Sequence, residues 1–225
     1  MQISSMTIQQ AIVRFPEIAL LTRDAHYLRG FFGNLFKEHS PLLHNHYEDG
    51  SLRYQYPLVQ YKVLHNVPTL VGLGEGAVLL LQLFTQIKQL QLLNQTYPIY
   101  EKHITTTTPQ VCTLPNQLCA YNLLTPWLAL NQQNYPLYMQ CVSVQQQSAM
   151  LQKIMVANII NFFKAAGYTM QHYLMLHPNF TPATTKFKNQ TMIAFKGSFV
   201  CNAQLPPLIG LGKSVSRGFG TIEPC

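Results

Sequence analysis

The sequence predicts an α+β protein made of two ferredoxin-like domains in tandem, with antiparallel sheets and a glycine-rich loop near the C-terminus. In the first half, strand-like and helix-like segments follow one another in the order β-α-β-β-α-β, which is the ferredoxin-like order. In the other half, a further long amphipathic helix lies between strand-like segments. The 225 residues are 48% apolar, which is enough for a core in each of two domains of about 110 residues. We therefore expect one domain over residues 1–105 and another over residues 106–225.

The first strand and the first helix are indicated by signals at their ends. Residues 8–15 are rich in β-forming side chains and are followed by a proline. Thr22 is a favourable helix cap, and Asp24 lies in the first turn, where a negative charge is stabilised. Apolar side chains then recur at helical spacing. The helix is expected to run from Thr22 to about Glu38, because Pro41 disfavours a helical conformation in the residue before it.

The rest of the first domain supplies three strands and a second helix. Residues 53–64 alternate between polar and apolar side chains and predict a strand, and a shorter strand follows at 69–73. The sequence GLGEG at 72–76 is expected to turn into a helix over residues 77–92. A strand within residues 96–104 would then close the sheet.

The second domain is predicted to follow a linker. Residues 105–115, TTTTPQVCTLP, have the composition of a loop between domains. Apolar residues at helical spacing favour one long helix, which a C-terminal glycine would end. The predicted elements after the linker are strands at 119–124 and 135–144, a helix from Ser148 to Gly167, and strands at 170–176, 192–202 and 220–223.

Charge is distributed unevenly along the chain. The net charge is +7, and the stretch from Lys102 to Ile222 contains eight basic residues and no acidic one. Such a region can face a polyphosphate, because binding releases counterions from the phosphate backbone. An anionic membrane fits less well, since no predicted helix is basic on one face and apolar on the other. We therefore expect a nucleic acid as the partner and no membrane.

Few carboxylates and an irregular set of cysteines limit the chemistry. Of the eight carboxylates only Glu48 and Asp49 are adjacent, whereas two-metal nucleases need several that converge. The five cysteines include no Cys-x-x-Cys pair, which argues against a zinc site and a disulfide framework. Cleavage of nucleic acid by this protein would therefore need no metal, and we expect no cofactor. The N-terminus lacks a signal-peptide pattern, so the cytoplasm is the expected location.

The segment GLGKSVSRGFG at residues 210–220 contains Gly-Lys-Ser and four glycines. It does not fit an ATP-binding phosphate loop, because that motif requires a glycine where this chain has Pro207. Glycines allow positive φ angles and close approach to a bulky ligand, and Lys213 and Arg217 would attract anions. A flexible basic tail is the alternative, although apolar residues are interleaved at regular steps. The four glycines are Gly210, Gly212, Gly218 and Gly220.

Two histidines follow the first predicted helix. His44 and His46 share a face if their segment is extended. One neutral and one protonated imidazole can act as base and acid near neutral pH, which suits RNA cleavage by attack of a 2′-OH on its own phosphate. Lys37, Arg53 and Tyr54 are nearby in sequence and could stabilise the charged phosphorane or share proton transfer. The alternative is that both histidines are ordinary polar surface residues.

With both motifs, the chain resembles the CRISPR-associated endoribonucleases of the Cas-six family, in the RAMP superfamily. The family's C-terminal loop reads Gly-hydrophobic-Gly, five residues, Gly-hydrophobic-Gly, and residues 210–220 fit at every position. The b-type branch is similar in RDAHYLRGFFGNLF, LLHNH, YPLVQYKV and GLGEGA, which occur here in this order. The similarity extends over residues 8–85 and 186–222.

This resemblance implies tandem ferredoxin-like (RRM-like) domains and metal-independent cleavage of CRISPR repeat RNA, which leaves a 2′,3′-cyclic phosphate and a 5′-OH. In the b-type branch the paired histidines carry catalysis, and a lysine and a tyrosine assist. These residues correspond to His44, His46, Lys37 and Tyr54. The alternative within the superfamily is a non-catalytic RNA-binding subunit that keeps the fold and the loop.

The resemblance also places the glycine-rich loop against the RNA. Arg29 shares a helix face with Lys37, and this face either is solvated or contacts RNA. Besides repeat RNA, subunits of a CRISPR effector complex and a second copy in a homodimer are open as partners. The residues expected to bind RNA are Arg29, Arg53, Lys186, Lys188, Gly210, Gly212, Lys213, Arg217, Gly218 and Gly220.

Overall fold

The computed structural model describes residues 5–35, 56–92, 94–187 and 190–225. The chain forms two compact units, which we call the N-terminal unit (Thr7–Pro109 with Val215–Gly218) and the C-terminal unit (chiefly Gln110–Ser214 and Phe219–Cys225). In chain order the elements are β1 (Met6–Thr7), β2 (Gln10–Arg14), α1 (Ala25–Leu35), β3 (Val59–Leu64), β4 (Val67–Leu73), α2 (Glu75–Leu83), β5 (Gln89–Leu92), β6 (Gln95–Pro98), β7 (His103–Thr107), β8 (Gln110–Thr113), β9 (Cys119–Leu123), α3 (Asn134–Met139), α4 (Val144–Ala166), β10 (Leu176–Phe187), β11 (Gln190–Cys201), β12 (Ala203–Gln204) and β13 (Ile222–Pro224).

The N-terminal unit is built around an antiparallel sheet with the strand order β3-β4-β2-β7. Helix α1 packs against β3, and α2 packs against β4 and β2. In this core the ring of Phe32 stacks between Phe15, at a centroid distance of 6.3 Å, and Tyr61, at 5.8 Å. The first and third strands of the β-α-β-β-α-β series are central, which is the ferredoxin-like arrangement.

The second helix of this unit is shorter than the sequence predicted. It ends at Leu83 and is followed by a 3-10 turn and by the hairpin β5–β6, so the expected helix over residues 77–92 is wrong in its last part. Leu90 and Leu92 are buried, whereas Gln89 and Gln91 are exposed. This alternation has the period of two that a strand requires, and it outweighs the helical preference of leucine and glutamine.

The predicted linker over residues 105–115 is also wrong, because strands β7 and β8 lie there. Strand β7 pairs with β2 and completes the sheet of the N-terminal unit. Its threonines are β-branched and mostly exposed, which suits the edge of a sheet. Threonine-rich composition therefore marked an edge strand in this chain.

The C-terminal unit has a second antiparallel sheet, with the order β10-β11-β9-β13. Helix α4 follows the first of these strands in sequence and packs against β10. The strand order is the same as in the N-terminal unit, but residues 205–221 replace the second helix. The predicted fold class, tandem ferredoxin-like domains with antiparallel sheets, is confirmed.

Three predictions for the C-terminal unit are wrong. The strand expected at residues 170–176 is missing from residues 170–175, and the strand of this region is β10, which begins at Leu176 and pairs residue by residue with β11. Residues 135–144 were expected to be a strand, but α3 occupies Asn134–Met139, where the side chain of Asn131 accepts hydrogen bonds from the backbone of Gln133 and Asn134. Pro136 is tolerated because the first helical turn leaves its N–H groups unpaired. The cap of α4 is Ser143, whose Oγ accepts from the N–H of Gln146 at 3.2 Å, and not Ser148.

The C-terminal end of α4 and its buried face follow general rules for helices. Gly167 ends the helix with a φ of +79°, a left-handed conformation that favours glycine. Leu151, Met155, Ile159 and Phe162 form its buried stripe. In the part of the chain that the structure describes, no helix combines the length and the apolar character needed to cross a membrane.

Candidate nucleic-acid interface

Several residues that the sequence singles out lie outside the described part of the chain. Helix α1 ends at Leu35, and the description resumes at Tyr56, just before β3. Tyr56 is buried, and its hydroxyl accepts a hydrogen bond of 2.9 Å from the side chain of Gln60 on β3. Residues 36–55 thus connect α1 to a well-anchored start of β3. The predicted site residues outside the described ranges are Lys37, His44, His46, Arg53, Tyr54 and Lys188.

The glycine segment (residues 210–220) begins and ends in the C-terminal unit, where its first and last residues pair with each other or with their neighbours. Gly210 forms a β-bridge with Thr221, and the N–H of Leu211 donates to the carbonyl of Gly220 at 2.9 Å. Leu211 is fully buried and anchors the first triplet. The repeated sequence pattern therefore corresponds to two short paired stretches that close a five-residue tip, residues 213–217.

The second part of the tip belongs to the N-terminal unit. Val215–Arg217 form a 3-10 turn that packs against β3 and α1, with Val215 buried. Gly218 follows with a φ of +86°, and a Cβ there would lie 3.1 Å from the carbonyl oxygen of Tyr61 and 3.2 Å from the Cβ of Ala25. Both the backbone conformation and the close packing therefore require glycine at residue 218.

Two arginines of the N-terminal unit are close enough to influence each other. Burial, and then the positive charge of Arg29 on α1, lower the pKa of the half-buried Arg217 in the tip. Arg29 also acts on Tyr61: burial raises the pKa of Tyr61, and the charge of Arg29 opposes this rise. Guanidinium groups that repel each other are both stabilised when a phosphate binds between them, and each can bind it with two hydrogen bonds. This pair is therefore a candidate contact for the phosphate of a nucleic acid.

Lys62 lies beside the tip on β3 and is fully buried. Its Cα would be 3.4 Å from a Cβ at residue 218. Burial lowers the pKa of Lys62 to about 7, because an ammonium group loses its hydration inside the protein. Its charge near neutral pH therefore responds to small changes of environment.

Replacing Lys62 with methionine is expected to remove the pH dependence of stability that this lysine causes, because methionine has an apolar chain of similar length and no ionisable group. The pKa is about 7 in the folded state and about 10.4 in the unfolded chain. Stability of the wild type should therefore rise as the pH increases between these values, and the penalty should be full below about 7.

Thermal unfolding measured between about pH 6 and pH 10 checks this expectation. Lys153→Met on the exposed side of α4 is the matched control and should keep the wild-type pH dependence. If Lys62→Met and the wild type gain stability equally with pH, the buried lysine does not titrate in this range.

Two other predicted RNA contacts are exposed. Lys213 is exposed at the start of the tip, and Lys186 is exposed near the end of β10, opposite Thr191 of β11. Sequence reasoning did not identify Tyr61, Lys62 or Trp127, all of which touch the glycine segment. One signal was present in the sequence, namely Lys62 between the apolar residues Tyr61 and Val63 of a predicted strand.

Comparisons with known proteins agree over nearly the whole chain. The family model described as the Cas6b N-terminal domain matches residues 6–110, and that of the Cas6b C-terminal domain matches residues 113–225. An uncharacterized protein of Methanocaldococcus jannaschii is 28% identical over 142 residues, which is 63% of this chain and 95% of that protein.

Solved structures give the same result. A crystal structure of Cas6b matches with a TM-score of 0.91 and 30% identity, covering 98% of this chain and 100% of that chain. A CRISPR RNA processing endoribonuclease Cas6b matches with a TM-score of 0.79 and 27% identity, with coverages of 98% and 100%. A Cas6 product complex, at 12% identity and a TM-score of 0.62, shares the fold, with coverages of 98% and 100%. This chain therefore belongs to the Cas6b family.

Proposed function

We propose that this protein is an endoribonuclease that cleaves CRISPR repeat RNA to generate guide RNAs. Its family membership supports this activity, since a solved Cas6b with 27% identity is described as a CRISPR RNA processing endoribonuclease. The observation on this chain that carries the proposal is the position of Arg217, which the tip of the glycine segment places beside Arg29. Two neighbouring guanidinium groups are suited to bind the backbone of an RNA.

In the proposed reaction, His44 and His46 move the protons. One imidazole removes the proton of a 2′-OH, and this oxygen attacks the adjacent phosphorus while the bond to the 5′-oxygen breaks. The other imidazole gives its proton to the leaving 5′-oxygen, so the products are a 2′,3′-cyclic phosphate and a 5′-OH. Lys37 and Tyr54 are proposed to assist, by stabilising the charged phosphorane or by sharing proton transfer. No step of this reaction requires a metal ion.

The chain connectivity supports this assignment. Residues 36–55 join α1 to β3, and these are the two elements against which the 3-10 turn of the tip packs. The segment that contains both histidines therefore starts from the helix that carries Arg29 and leads into β3. Arg53, Lys186, Lys188 and Lys213 are proposed as further phosphate contacts, in a protein that acts on transcripts in the cytoplasm.

The direct test is cleavage of a 5′-labelled repeat RNA from a CRISPR array of the same genome, in the presence of EDTA. A single cut that leaves a 2′,3′-cyclic phosphate is the expected result. Tight binding without a cut would move the protein to the class of non-catalytic RNA-binding subunits. A cut that occurs only after a divalent metal is added would contradict the proposed mechanism.

Removing one basic side chain of the tip is expected to reduce the salt dependence of RNA binding. Lys213→Ala and Arg217→Ala should each weaken binding and lower the slope of log K against log salt by about 0.7–0.9, the value for one phosphate contact. The control is Lys153→Ala, which removes an exposed lysine of α4 and changes the net charge by the same amount. Slopes that match the wild type in both tip variants would place the tip away from RNA.

A further inference from the structure

Trp127 lies within the C-terminal unit between the β10–β11 hairpin and the glycine segment, and it is the single tryptophan of the sequence. Its backbone exchanges hydrogen bonds of 2.8 and 2.9 Å with Phe195 on β11. Its ring is 4.9 Å from that of Phe180 and 5.9 Å from that of Phe195, centroid to centroid. One side of the indole is therefore fixed to the long hairpin.

The other side of the indole faces two glycines. A Cβ at Gly212 would lie 2.5 Å from the indole Nε1 and 2.7 Å from Cδ1, and a Cβ at Gly220 would lie 3.2 Å from Cδ1. Both glycines have positive φ angles, +96° and +62°. The bare backbone of each triplet thus rests directly on the edge of the Trp127 ring.

The neighbours of Trp127 in sequence hold the same two stretches. The carbonyl of Pro126 accepts a hydrogen bond of 2.9 Å from the N–H of Gly220, and the carbonyl of Leu128 accepts one of 3.2 Å from the N–H of Lys213. Residues 126–128 therefore support both arms of the glycine segment. The position of Lys213, and with it the start of the tip, depends on this support.

The indole N–H has no hydrogen-bond partner among the described residues, although Trp127 is fully buried. A buried donor without an acceptor is unfavourable, and phenylalanine would fill the aromatic contacts without leaving one. The atom nearest to a Cβ added at Gly212 is this indole Nε1.

We infer that Trp127 is a positioning residue for RNA binding: its ring edge sets the backbone of Gly212 and Gly220 and couples the glycine segment to the β10–β11 hairpin. This inference rests on the proposed RNA-binding function of the glycine segment. The inference makes two predictions that would not hold for a tryptophan that serves only as part of the core. Residues 127 and 212 must be coupled in RNA affinity, and RNA binding must change the surroundings of the indole.

The first test is a double-mutant cycle of Gly212→Ala and Trp127→Leu, with the Kd for repeat RNA and the melting temperature measured for all four proteins. Gly212→Ala is expected to weaken RNA binding about tenfold or more, a loss within the range for residues in contact. In the Trp127→Leu background the same change should weaken binding at least about threefold less, because the ring edge is gone. Additive effects on the Kd would overturn the inference.

Gly167→Ala is the matched control for the glycine change. Gly167 has a similar positive φ of +79°, but an added Cβ would meet no atom within 4 Å. It therefore reports the backbone strain of alanine in this conformation without the contact to an indole. We expect Gly167→Ala to lower the melting temperature and to leave RNA affinity within about twofold.

The second test uses the unmodified protein and is independent of how well the variants fold. Titration with repeat RNA should change the emission of the single tryptophan, and the change should saturate with the Kd found from labelled RNA. N-acetyltryptophanamide mixed with the same RNA corrects for absorption by the nucleic acid. RNA binding that leaves the emission unchanged would overturn the positioning role but not the proposed function. Absence of RNA binding in both assays would instead contradict the proposed function itself.

Discussion

Changing His44 and His46 together to alanine is expected to lower the rate of repeat-RNA cleavage by about 10⁴-fold or more, since each acid or base role contributes about 10²–10⁴. RNA affinity should change by no more than several-fold, because the phosphate contacts stay in place. The wild-type rate should be bell-shaped in pH around the pKa of histidine, about 6.5, where one neutral and one protonated imidazole coexist most often.

The measurement is single-turnover cleavage in EDTA, with the enzyme in excess over labelled repeat RNA. His65→Ala combined with His177→Ala is the control, since it removes two exposed histidines elsewhere in the chain. The single changes at residues 44 and 46 should have smaller effects if one imidazole can replace the other. A double variant that cleaves at the wild-type rate would remove both histidines from the mechanism.

Replacing Gly218 with valine is expected to destabilise the protein by roughly 2–5 kcal/mol. About 1–2 kcal/mol comes from forcing a side chain into a positive φ conformation, and about 1–3 kcal/mol from overpacking. The φ is +86°, and the new Cβ would press on the carbonyl oxygen of Tyr61 at 3.1 Å and on Ala25 at 3.2 Å. Neither neighbour can move freely, because the first is the backbone of the buried strand β3 and the second begins α1.

Chemical denaturation measures this loss, and Gly167→Val separates its two causes. Gly167 has nearly the same φ, +79°, but open space around its Cβ, so its variant should lose only about 1–2 kcal/mol. Equal losses at the two positions would show that the contact with β3 and α1 does not contribute. The RNA affinity of Gly218→Val should also fall, because the displaced turn carries Arg217.

The fold could be read from the sequence wherever periodicity and end signals agreed. Strands β2, β4 and β11 and the glycine end of α4 all follow from local rules. The predicted cap Thr22 instead begins a 3-10 turn, and α1 starts at Ala25. The misassigned segments are those in which two local rules disagree. The alternating QLQL of β5 lies in a leucine-rich run, and the threonines of β7 have both loop and edge-strand character. For β7, pairing with the remote strand β2 decided the case, and a single sequence does not display such pairing. For β5 the partner is the neighbouring strand β6, with which it forms a hairpin.

The candidate site also has one part that the sequence predicts and one part that it does not. The glycines were recognisable because glycine adopts positive φ angles far more readily than other residues, and residues 212, 218 and 220 all have them. The residues that create this need, Trp127 and the backbone of Tyr61, are remote in sequence from the glycine segment. A contact over such a separation follows from strand order, which must be known first. Catalysis by the histidines stays a prediction from the sequence and the family.

The membership of residues Val215–Gly218 in the N-terminal unit has a consequence for biosynthesis. The unit otherwise ends at Pro109, so its closing turn is translated about 100 residues later, which is roughly 5–20 s at usual rates of chain elongation. During that interval Tyr61 and Lys62 lack the segment that packs on them in the finished protein. A ribosome-bound chain, or a fragment cut after Pro109, therefore presents an unfinished first unit to chaperones and proteases.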